Sequence, residues 1–321
     1  MKLKKSLKMV LAATVALLCA TAGAQNYPTK PVNVIIPFPP GGTLDIVGRM
    51  LAQKLSEQTG QSFVVENRAG GGGTIGANAV AKAAADGYTL LFSASTFTIG
   101  PMLISGVPYS VEKDFIPVSL VAKAPLAVAI GNHVPANNVK ELIAYGNANP
   151  GKLSFAIGSS GSAGHLSTEL LKKAGNISAV TIPYKGSSPA YTDLVGGRID
   201  GFIDPILGSQ SFAKAGKLKV IAVTSKDRLA SMPDIPTVAE SVPGYEFYSW
   251  YGLWAPAGTP AAVINKLSAE SLAALKGDMA KKLVEQGLIV DPGTAADFAK
   301  FQKADMTMSQ TIIKEANIRA Q

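Results

Sequence analysis

The sequence predicts an α/β fold with two doubly wound lobes joined by a hinge that the chain crosses twice. Three observations support this fold class. Short apolar runs rich in β-branched residues alternate with stretches of helical period, the alternation occurs a second time further along the chain, and the closing segment carries helices that need a sheet to cover. The length of 321 residues also suits two domains, because single domains commonly have about 100–200 residues.

The first unit is predicted in the order β-α-β-α-β. Its strands are expected at residues 32–36, 63–66 and 88–92, and its helices run from residue 44 to a stop at Gly60 and over residues 75–85. Strands that alternate with helices in this way form a parallel sheet with helices on both faces.

The second unit repeats the pattern with more strands. Strands are expected at residues 126–130, 153–157, 180–182, 199–203 and 218–223, and helices at 139–147, 165–173 and 189–195. The two units are similar in size and construction, which predicts two lobes of the same kind.

The closing segment differs from both units. A proline-rich crossing at 232–244 precedes an aromatic strand at 248–254, and helices follow at 261–275, at 278–286 and after Thr294, which forms a capping box with Asp297. We expect these helices to cover the first sheet, so that the chain crosses between lobes near residues 121–124 and 245–250. The predicted division is a signal peptide at 1–24, lobe 1 at 27–123 with 249–321, and lobe 2 at 124–248.

The first 24 residues have the three parts of a secretory signal peptide. Lysines at positions 2, 4, 5 and 8 precede an apolar run over residues 9–20, and Ala22-Gly23-Ala24 supplies the small residues of a cleavage site. The run is shorter than the roughly 20 residues that a membrane-spanning helix needs. The leucines before Cys19 do not suit lipid attachment. We therefore expect export with cleavage after Ala24.

Composition excludes several classes of protein once this leader is set aside. The full chain has 30 Lys and Arg against 22 Asp and Glu, a net charge of +8 that raises the question of nucleic acid. Without the four leader lysines the balance is 26 to 22, a net charge of +4, and we predict no nucleic-acid partner. Cys19 is the one cysteine of the chain, which excludes an intramolecular disulfide and a cysteine-rich zinc module.

The strongest local signal is the segment Pro37-Phe38-Pro39-Pro40-Gly41-Gly42-Thr43-Leu44-Asp45, which lies between a predicted strand and a predicted helix. Free N–H groups at a helix N-terminus carry about half a positive charge and suit an oxyanion. The glycines allow a ligand to approach the backbone closely. An ordinary turn, in which Thr43 or Asp45 only caps its own helix, accounts for the same residues equally well.

A second segment of this type is Gly158-Ser159-Ser160-Gly161-Ser162-Ala163-Gly164-His165, after a strand of the second unit. It offers hydroxyls and backbone N–H groups together. Open α/β sheets bind ligands at the carboxyl ends of their strands, so the two segments are expected to face each other across a cleft. His165 could contact the ligand or could only cap and pack.

Three smaller groups also follow predicted strands. They are Ser93-Ala94-Ser95, Tyr184-Lys185-Gly186-Ser187 and Asp204. Tyr184 and Ser187 could donate to a carboxylate, whereas Asp204 would suit a hydroxyl, an amine or a water, or could be structural.

Enzyme chemistry has few candidate residues. Gly71, Gly73 and Gly76 match G-x-G-x-x-G, but they lie in the second strand–helix turn and the nearest following acid comes too soon for a dinucleotide site. The serines after Gly158 do not form a G-x-S-x-G elbow. The two histidines belong to no cluster with metal-ligand spacing. We predict no catalytic residue, no metal and no cofactor.

Several longer motifs resemble one family along the whole mature chain. They are Tyr27-Pro28 with Lys30-Pro31, Pro37-Phe38-Pro39-Pro40-Gly41-Gly42 with Asp45, Val65-Glu66-Asn67-Arg68 with Gly70-Gly71-Gly72, Ala84-Ala85-Asp86-Gly87-Tyr88-Thr89-Leu90, Pro183-Tyr184-Lys185-Gly186, and residues 194–200 with their Gly-Gly pair. The chain is similar in these motifs to the Bug-type receptors, the extracytoplasmic solute-binding proteins of tripartite tricarboxylate transporters.

The resemblance implies two lobes of the type II periplasmic binding protein kind, which close on a small organic carboxylate and deliver it to a membrane permease. Carried over by position, ligand binding falls on Phe38, Pro40, Gly41, Gly42, Thr43, Asp45, Ser93, Ser95, Gly158, Ser159, Ser160, Gly161, Ser162, His165, Tyr184, Lys185, Gly186, Ser187 and Asp204. The chain departs from the family at Gly164, where a polar residue is common. The glycine-rich run at 70–76 is expected to serve packing.

The resulting hypothesis is a periplasmic, non-enzymatic receptor that acts as a monomer. Two alternatives stay open from the residues themselves. One is an exported enzyme that acts on a carboxylate, and the other is a ligand-sensing partner of a membrane sensor.

Overall fold

The structure is a computed structural model that describes residues 27–315 and residue 318. The predicted signal peptide, the cleavage after Ala24 and Cys19 lie outside the described residues.

The strands of the described chain are β1 (Val32–Ile36), β2 (Phe63–Asn67), β3 (Thr89–Ala94), β4 (Phe115–Ile130), β5 (Leu153–Ile157), β6 (Ala179–Pro183), β7 (Gly201–Pro205), β8 (Lys219–Val223) and β9 (Tyr248–Pro256). The α-helices are α1 (Thr43–Thr59), α2 (Thr74–Ala81), α3 (Thr96–Ile99), α4 (Val111–Asp114), α5 (Val139–Ala148), α6 (Ala163–Gly175), α7 (Ser187–Val195), α8 (Ile206–Lys214), α9 (Ala261–Ala274), α10 (Asp278–Glu285) and α11 (Ala295–Glu315).

The first sheet has the order β2-β1-β3-β9-β4. Strands β2, β1 and β3 are parallel, as predicted, whereas β9 pairs antiparallel with β3 and with the first part of β4. One face packs on α1, α9 and α10 through a core that contains Val34, Leu51 and Leu267. The opposite face packs on α2 and α11 around Trp254 and Phe298. The closing helices therefore cover the first sheet, as expected.

In the second sheet, β5 pairs in parallel with β6 on one side and with β7 on the other. The last residues of β4 pair antiparallel with β7 and with β8. Successive residues of its strands point to opposite faces. Phe155 packs in the cluster of α5 and α6, and Ala156 packs in the cluster of α7 and α8. This two-sided burial explains why the strands of the second unit read as continuous apolar runs.

Strand β4 belongs to both sheets. Its residues up to Pro125 pair with β9, and its residues from Leu126 pair with β7 and β8. The chain returns from the second sheet to the first at Phe247, directly before β9. Thr224, which follows β8, is fully buried between the two passages and bonds to the backbone of Leu126 and Phe247.

The structure differs from the predicted elements at the short helices α3 and α4, which were not predicted, and in three further places. Strand β4 begins at Phe115, eleven residues before the predicted strand. Helix α8 was not predicted, and α2 ends at Ala81 although a helix was predicted to residue 85. The described structure retains the predicted two-lobed α/β architecture despite these differences.

Candidate functional site

A cleft lies between the two sheets, at the carboxyl ends of the parallel strands. It encloses about 600 Å³ when the solvent at its open side is included. The lining residues are Phe38, Pro39, Gly42, Thr43, Leu44, Asp45, Ala94, Thr96, Gly158, Ser159, Ser162, Ala163, Gly164, Gly186, Ser187, Asp204, Pro205, Ser249 and Tyr251. The two segments that sequence analysis placed opposite each other therefore do meet at one cavity.

The first segment is held by Asp45 at the start of α1. The Asp45 carboxylate accepts hydrogen bonds from the Gly41 amide at 3.1 Å and the Asn67 side chain at 2.9 Å. Asn67 also donates to the Phe38 carbonyl oxygen at 3.0 Å. Gly41 has a φ of +93°, a conformation that glycine adopts without strain. These bonds fix the loop that presents Gly42 and Thr43 to the cleft.

The Asp45 carboxylate is ionised because its partners outweigh its burial. Burial by itself raises the pKa of this group, but hydrogen bonds from Arg49, Asn67 and the Gly41 amide, together with the Arg49 charge, bring the pKa below its ordinary value. The Arg49 Nε atom lies 3.0 Å from Asp45 Oδ2. Asp45 therefore uses its oxygens on its own loop, its own helix and the end of β2.

The second segment is organised by Ser162 and His165 at the start of α6. The Ser162 hydroxyl accepts from the His165 amide at 3.1 Å as an N-cap, and His165 Nδ1 accepts from the Gly161 amide at 3.2 Å. Burial lowers the pKa of His165. The charge of Glu169 raises this pKa by a smaller amount, and the charge of Lys172 lowers it. A neutral imidazole that accepts from the loop backbone supports the capping interpretation of His165.

Four helices begin at the wall of the cleft. Residues at the N-termini of α1, α6, α7 and α8 line it, namely Thr43, Ala163, Ser187 and Pro205. The first-turn N–H groups of a helix have no partner within the helix and carry partial positive charge. No lysine, arginine or histidine lines the cleft in the part of the chain that the structure describes. Backbone dipoles are therefore the positive element of this site.

Several buried polar side chains in the cleft wall have no hydrogen-bond partner among the described residues. By strict hydrogen-bond geometry they are the hydroxyls of Thr43, Ser159 and Tyr251 and the Oδ2 atom of Asp204, although Tyr251 lies within reach of Thr43 and Ser249, and Asp204 within reach of Tyr191. Buried polar groups are nearly always paired in folded proteins. Their concentration here marks a surface suited to a polar ligand.

Asp204 is the other carboxylate of the cleft. Its Oδ1 atom accepts from the Ser187 hydroxyl at 2.9 Å, and no basic side chain of the described residues is its partner. Burial raises the pKa of Asp204 to about 7, against smaller lowering effects of Ser187 and Tyr191.

Ten of the nineteen residues named from the sequence line the cleft. They are Phe38, Gly42, Thr43, Asp45, Gly158, Ser159, Ser162, Gly186, Ser187 and Asp204. The other nine, which are outside its lining, are Pro40, Gly41, Ser93, Ser95, Ser160, Gly161, His165, Tyr184 and Lys185.

The residues outside the lining have other surroundings. The Tyr184 hydroxyl donates to Asp193 at 2.8 Å, Lys185 is exposed, and Ser93 and Ser95 are buried in or beside β3. Gly41 and Gly161 hold backbone turns that support the lining.

Nine further lining residues were not named individually from the sequence, although the candidate segments 37–45, 93–95 and 158–165 contain five of them. They are Pro39, Leu44, Ala94, Thr96, Ala163, Gly164, Pro205, Ser249 and Tyr251. Most are immediate neighbours of named residues and could have been included with them. Ser249 and Tyr251 belong to β9. The one sequence signal for them is their position in an aromatic strand close to the predicted crossing between the lobes.

The two lobes touch at the rim of the cleft. The Ser188 hydroxyl donates to the Pro40 carbonyl oxygen at 3.4 Å. A Cβ atom added to Gly161 would lie 2.8 Å from Gly100 Cα, and one added to Gly186 would lie 3.1 Å from Pro39 Cδ. Glycine at these positions therefore allows the lobes to approach closely.

The glycine-rich run after β2 packs against the first segment. A Cβ atom on Gly76 would lie 2.7 Å from the Arg68 carbonyl oxygen and 2.8 Å from Pro37 Cβ, and one on Gly73 would lie 3.1 Å from the Phe38 ring. This close packing explains the run without a dinucleotide site. Among the described residues, no group of three or more His, Cys, Asp or Glu could hold a metal ion.

A model described as the tripartite tricarboxylate transporter family receptor matches residues 47–318. The chain belongs to this receptor family. The receptor is 40% identical to the protein BugT of Bordetella pertussis (strain Tohama I) over 267 residues, which cover 80% of this chain and 82% of BugT. The predicted family is thus confirmed.

Two solved structures extend the comparison to the fold. The R. palustris Rpa4515 protein with adipate has a TM-score of 0.90 at 36% identity, and covers 92% of the receptor and 100% of that chain. The periplasmic binding protein BugD has a TM-score of 0.87 at 35% identity, with coverage of 92% and 100%. The two-lobed α/β fold is confirmed by these likenesses. Within residues 27–315, no helix of the receptor is long and apolar enough to cross a membrane.

Proposed function

We propose that the receptor is exported to the periplasm, captures a small organic carboxylate between its lobes and delivers it to the membrane permease of a tripartite tricarboxylate-type transporter. The observation that carries this proposal is the convergence of four helix N-termini on one cleft, whose lining among the described residues includes no basic side chain. The related Rpa4515 protein with adipate supports an organic acid as the ligand class.

Backbone groups can hold such an anion without a salt bridge. Each helix N-terminus favours a nearby negative charge by about 0.3–2 kcal/mol. The buried hydroxyls of Thr43, Ser159 and Tyr251 are further donors, and a hydrogen bond to a charged group contributes about 1.5–3 kcal/mol. Several contacts of this size give useful affinity and leave the ligand free to dissociate at the permease.

The lobe boundaries remain those predicted, residues 27–123 with 249–321 and residues 124–248. The transfer of β4 between sheets after Pro125 supports the first boundary, and the backbone passage at Phe247 supports the second. Two narrow crossings allow the lobes to move about a hinge and to close on a ligand. The permease would then recognise the closed form.

The receptor is proposed to be a monomer without enzymatic activity, and its signal peptide is proposed to be cleaved after Ala24. The ionisable side chains in the cleft lining are Asp45, Asp204 and Tyr251. Asp45 is engaged by Arg49, and within the described part of the chain no histidine, lysine or cysteine lines the cleft to act as base or nucleophile. Turnover of a bound acid by the purified protein would contradict this part of the proposal.

The decisive experiment is a thermal-shift screen of the purified mature protein over organic acids, followed by calorimetry on the acids that stabilise it. Gly42→Leu should remove binding because its side chain would enter the cleft, where Gly42 lies at the N-cap of α1 with a φ of −83°. Gly277→Leu is the matched control, since Gly277 is an exposed N-cap glycine of α10 with a φ of −102°. Unchanged affinity in Gly42→Leu would exclude this cleft as the binding site.

A further inference from the structure

Helix α11 is the longest helix of the described chain, and its two ends contact different lobes. It has 21 residues, which corresponds to a length of about 30 Å at the helical rise of 1.5 Å per residue. Its contacts change along this length from the first sheet, through the hinge strands, to the second lobe.

The first half of α11 is fixed to the first sheet. Phe298 is buried, and its ring centroid lies 5.1 Å from that of Trp254. One turn further along, Gln302 is also buried, and its Oε1 atom accepts a hydrogen bond from Trp254 Nε1 at 2.8 Å. A buried aromatic pair and a buried hydrogen bond therefore attach this half of the helix to lobe 1.

The middle of α11 lies on the two strands that carry the crossings. Lys123 of β4 and Trp250 of β9 are cross-strand partners. The Phe301 ring contacts both, with its centroid 4.9 Å from Lys123 Nζ and 5.4 Å from the Trp250 ring centroid. One turn further along, burial raises the pKa of Asp305 to about 6, against lowering effects of a hydrogen bond from Trp250 and of the Lys123 charge. The middle of the helix is thus attached at the hinge itself.

The last turns of α11 are attached to lobe 2. Ile312 and Ile313 pack against the hydrophobic cluster of α5 and α6, which contains Leu166. The Lys173 Nζ atom, in the last turn of α6, donates to the carbonyl oxygen of Glu315 at 2.9 Å. A cation at this place satisfies a free carbonyl and favours the negative end of the helix dipole.

These contacts occur in an arrangement in which the lobes also touch beside the cleft. Ile99 and Leu103, which follow β3 of lobe 1, join the same cluster as Ile312 and Ile313. Helix α11 packs on α3, which ends at Ile99. Gly100 is the residue whose backbone lies against Gly161 of lobe 2. Helix α11 therefore contacts lobe 2 while the lobes are closed on each other.

A helix attached to both lobes opposes their separation. The lobes turn about the backbone crossings near Pro125 and Phe247. Residues 295–315 contain no proline or glycine, so α11 lacks the usual sites of a sharp kink. When lobe 2 turns away, the helix cannot follow both lobes, and its contacts with Lys173 and the cluster of α5 and α6 are lost.

We propose that α11 is a strap across the hinge, which stabilises the closed arrangement of the lobes through its contacts with Lys173 and with the cluster that Ile312 and Ile313 join. This inference rests on the proposed function, because it concerns the closure by which the receptor would retain a ligand. The strap raises the ratio of closed to open protein before any ligand arrives, and loss of the strap weakens ligand retention as that ratio falls.

The experiment measures the distance between the lobes in the ligand-free mature protein. Nitroxide labels are attached through Ala69→Cys in lobe 1 and Thr192→Cys in lobe 2, since both positions are exposed. Cys19 is the one native cysteine and precedes the predicted cleavage site, so the labels react at the introduced cysteines. Dipolar electron spin resonance should show a shorter, closed distance and a longer, open one in otherwise wild-type protein.

Two variants release the strap to different degrees. Lys173→Glu reverses an exposed charge at the C-terminus of α11 and should lower the ratio of short to long distances about threefold. Addition of Ile312→Ala and Ile313→Ala removes apolar packing as well and should lower the ratio more than about tenfold. The matched control is Lys303→Glu with Met308→Ala, which changes exposed side chains of α11 itself and should leave the ratio unchanged.

The proposal is overturned if the protein with the native strap shows the longer distance alone, if the triple variant keeps the native ratio, or if the control lowers the ratio as much. Lys173→Glu changes the surface alone, so it tests the strap even where the isoleucine substitutions impair folding. These measurements need no ligand. Failure of every acid to bind would instead contradict the proposed function.

Discussion

Thr224 and Phe247 exchange two hydrogen bonds at the junction of the two sheets. The Thr224 hydroxyl donates to the Phe247 carbonyl oxygen at 2.6 Å, and the Phe247 amide donates to the Thr224 carbonyl oxygen at 3.0 Å. The same hydroxyl accepts from the Leu126 amide at 2.8 Å. A single buried side chain thus ties both passages between the lobes to the end of β8.

Thr224→Val should lower the free energy of unfolding by about 1–3 kcal/mol, because the isosteric side chain leaves buried backbone groups of Leu126 and Phe247 without a partner. Urea unfolding measures the change. Thr192→Val on the exposed surface of α7 is the control, and it should stay within about 0.5 kcal/mol of the wild type. Equal stability of the two variants would show that the Thr224 hydroxyl contributes nothing to the junction.

Gly161→Ala should weaken ligand binding by hindering closure of the lobes. The new Cβ atom would lie 2.8 Å from Gly100 Cα of the other lobe, and backbone at this contact cannot move away as a flexible side chain could.

Gly151→Ala is a matched control for this prediction. Gly151 has a φ of +76° against +74° for Gly161, and a Cβ atom there meets nothing within 4 Å. The backbone strain of about 1–2 kcal/mol is therefore common to both variants, and only Gly161→Ala adds the contact between lobes. We expect at least about a tenfold loss of affinity in Gly161→Ala alone by calorimetry, the factor that a 1.4 kcal/mol penalty on closure would give. A similar loss in both variants would assign the effect to strain.

The local elements of this fold follow from its sequence where the signals are local. Strand β1 occupies the predicted residues 32–36, because a run of β-branched residues that only Asn33 interrupts is bounded there by Pro31 and Pro37. The first eleven residues of β4 escaped prediction because they contain Pro117 and Pro125, which argue against a strand. They are tolerated because this part of β4 lies at the edge of the first sheet, where β9 is its strand partner on one side and the other side makes an isolated bridge from Lys123 to Ile289.

Helix α8 escaped prediction for a different reason. Gly208, Ser209 and Ser211 give its sequence low helix propensity. Packing of Ile206 and Phe212 against the second sheet compensates.

In the candidate site, too, local sequence signals predict some residues and long-range pairing determines the others. Both strand–helix loops could be found as contiguous segments, and their meeting follows from the topology of open sheets. The contribution of Tyr251 depends on the antiparallel return of β9 between β3 and β4, which no local motif encodes.

Gly164→Ala should destabilise the protein and disturb the second segment. A Cβ atom on Gly164 would overlap the Ile203 carbonyl oxygen of β7, so α6 would have to move away from the sheet. Overpacking of this kind costs about 1–3 kcal/mol, which denaturant unfolding would detect. Gly277→Ala, at an open N-cap, should change stability far less. Wild-type stability in Gly164→Ala would show that α6 shifts freely and that a polar residue could be accommodated at this position.

Asp45→Asn should remove an acid-sensitive contribution to stability. The folded-state pKa of Asp45 lies below the ordinary value of 3.8 because Arg49, Asn67 and the Gly41 amide outweigh the burial that opposes ionisation. A carboxyl with a depressed folded-state pKa adds stability that is fully present above pH values near its unfolded pKa. This stability is lost as the pH falls through the folded value. The wild type should therefore lose its advantage over Asp45→Asn when the pH is lowered from 7 toward 3.

Urea unfolding of both proteins across this pH range tests the prediction, with Asp227→Asn as an exposed control that should follow the wild type. Ligand affinity gives a second reading. The asparagine amide at position 45 would meet the Gly41 amide and the Arg49 guanidinium with one acceptor oxygen in place of two, so the first segment should loosen and binding at pH 7 should weaken. A constant stability difference between wild type and Asp45→Asn from pH 7 to pH 3 would contradict the assignment of Asp45 as the ionised anchor of this loop.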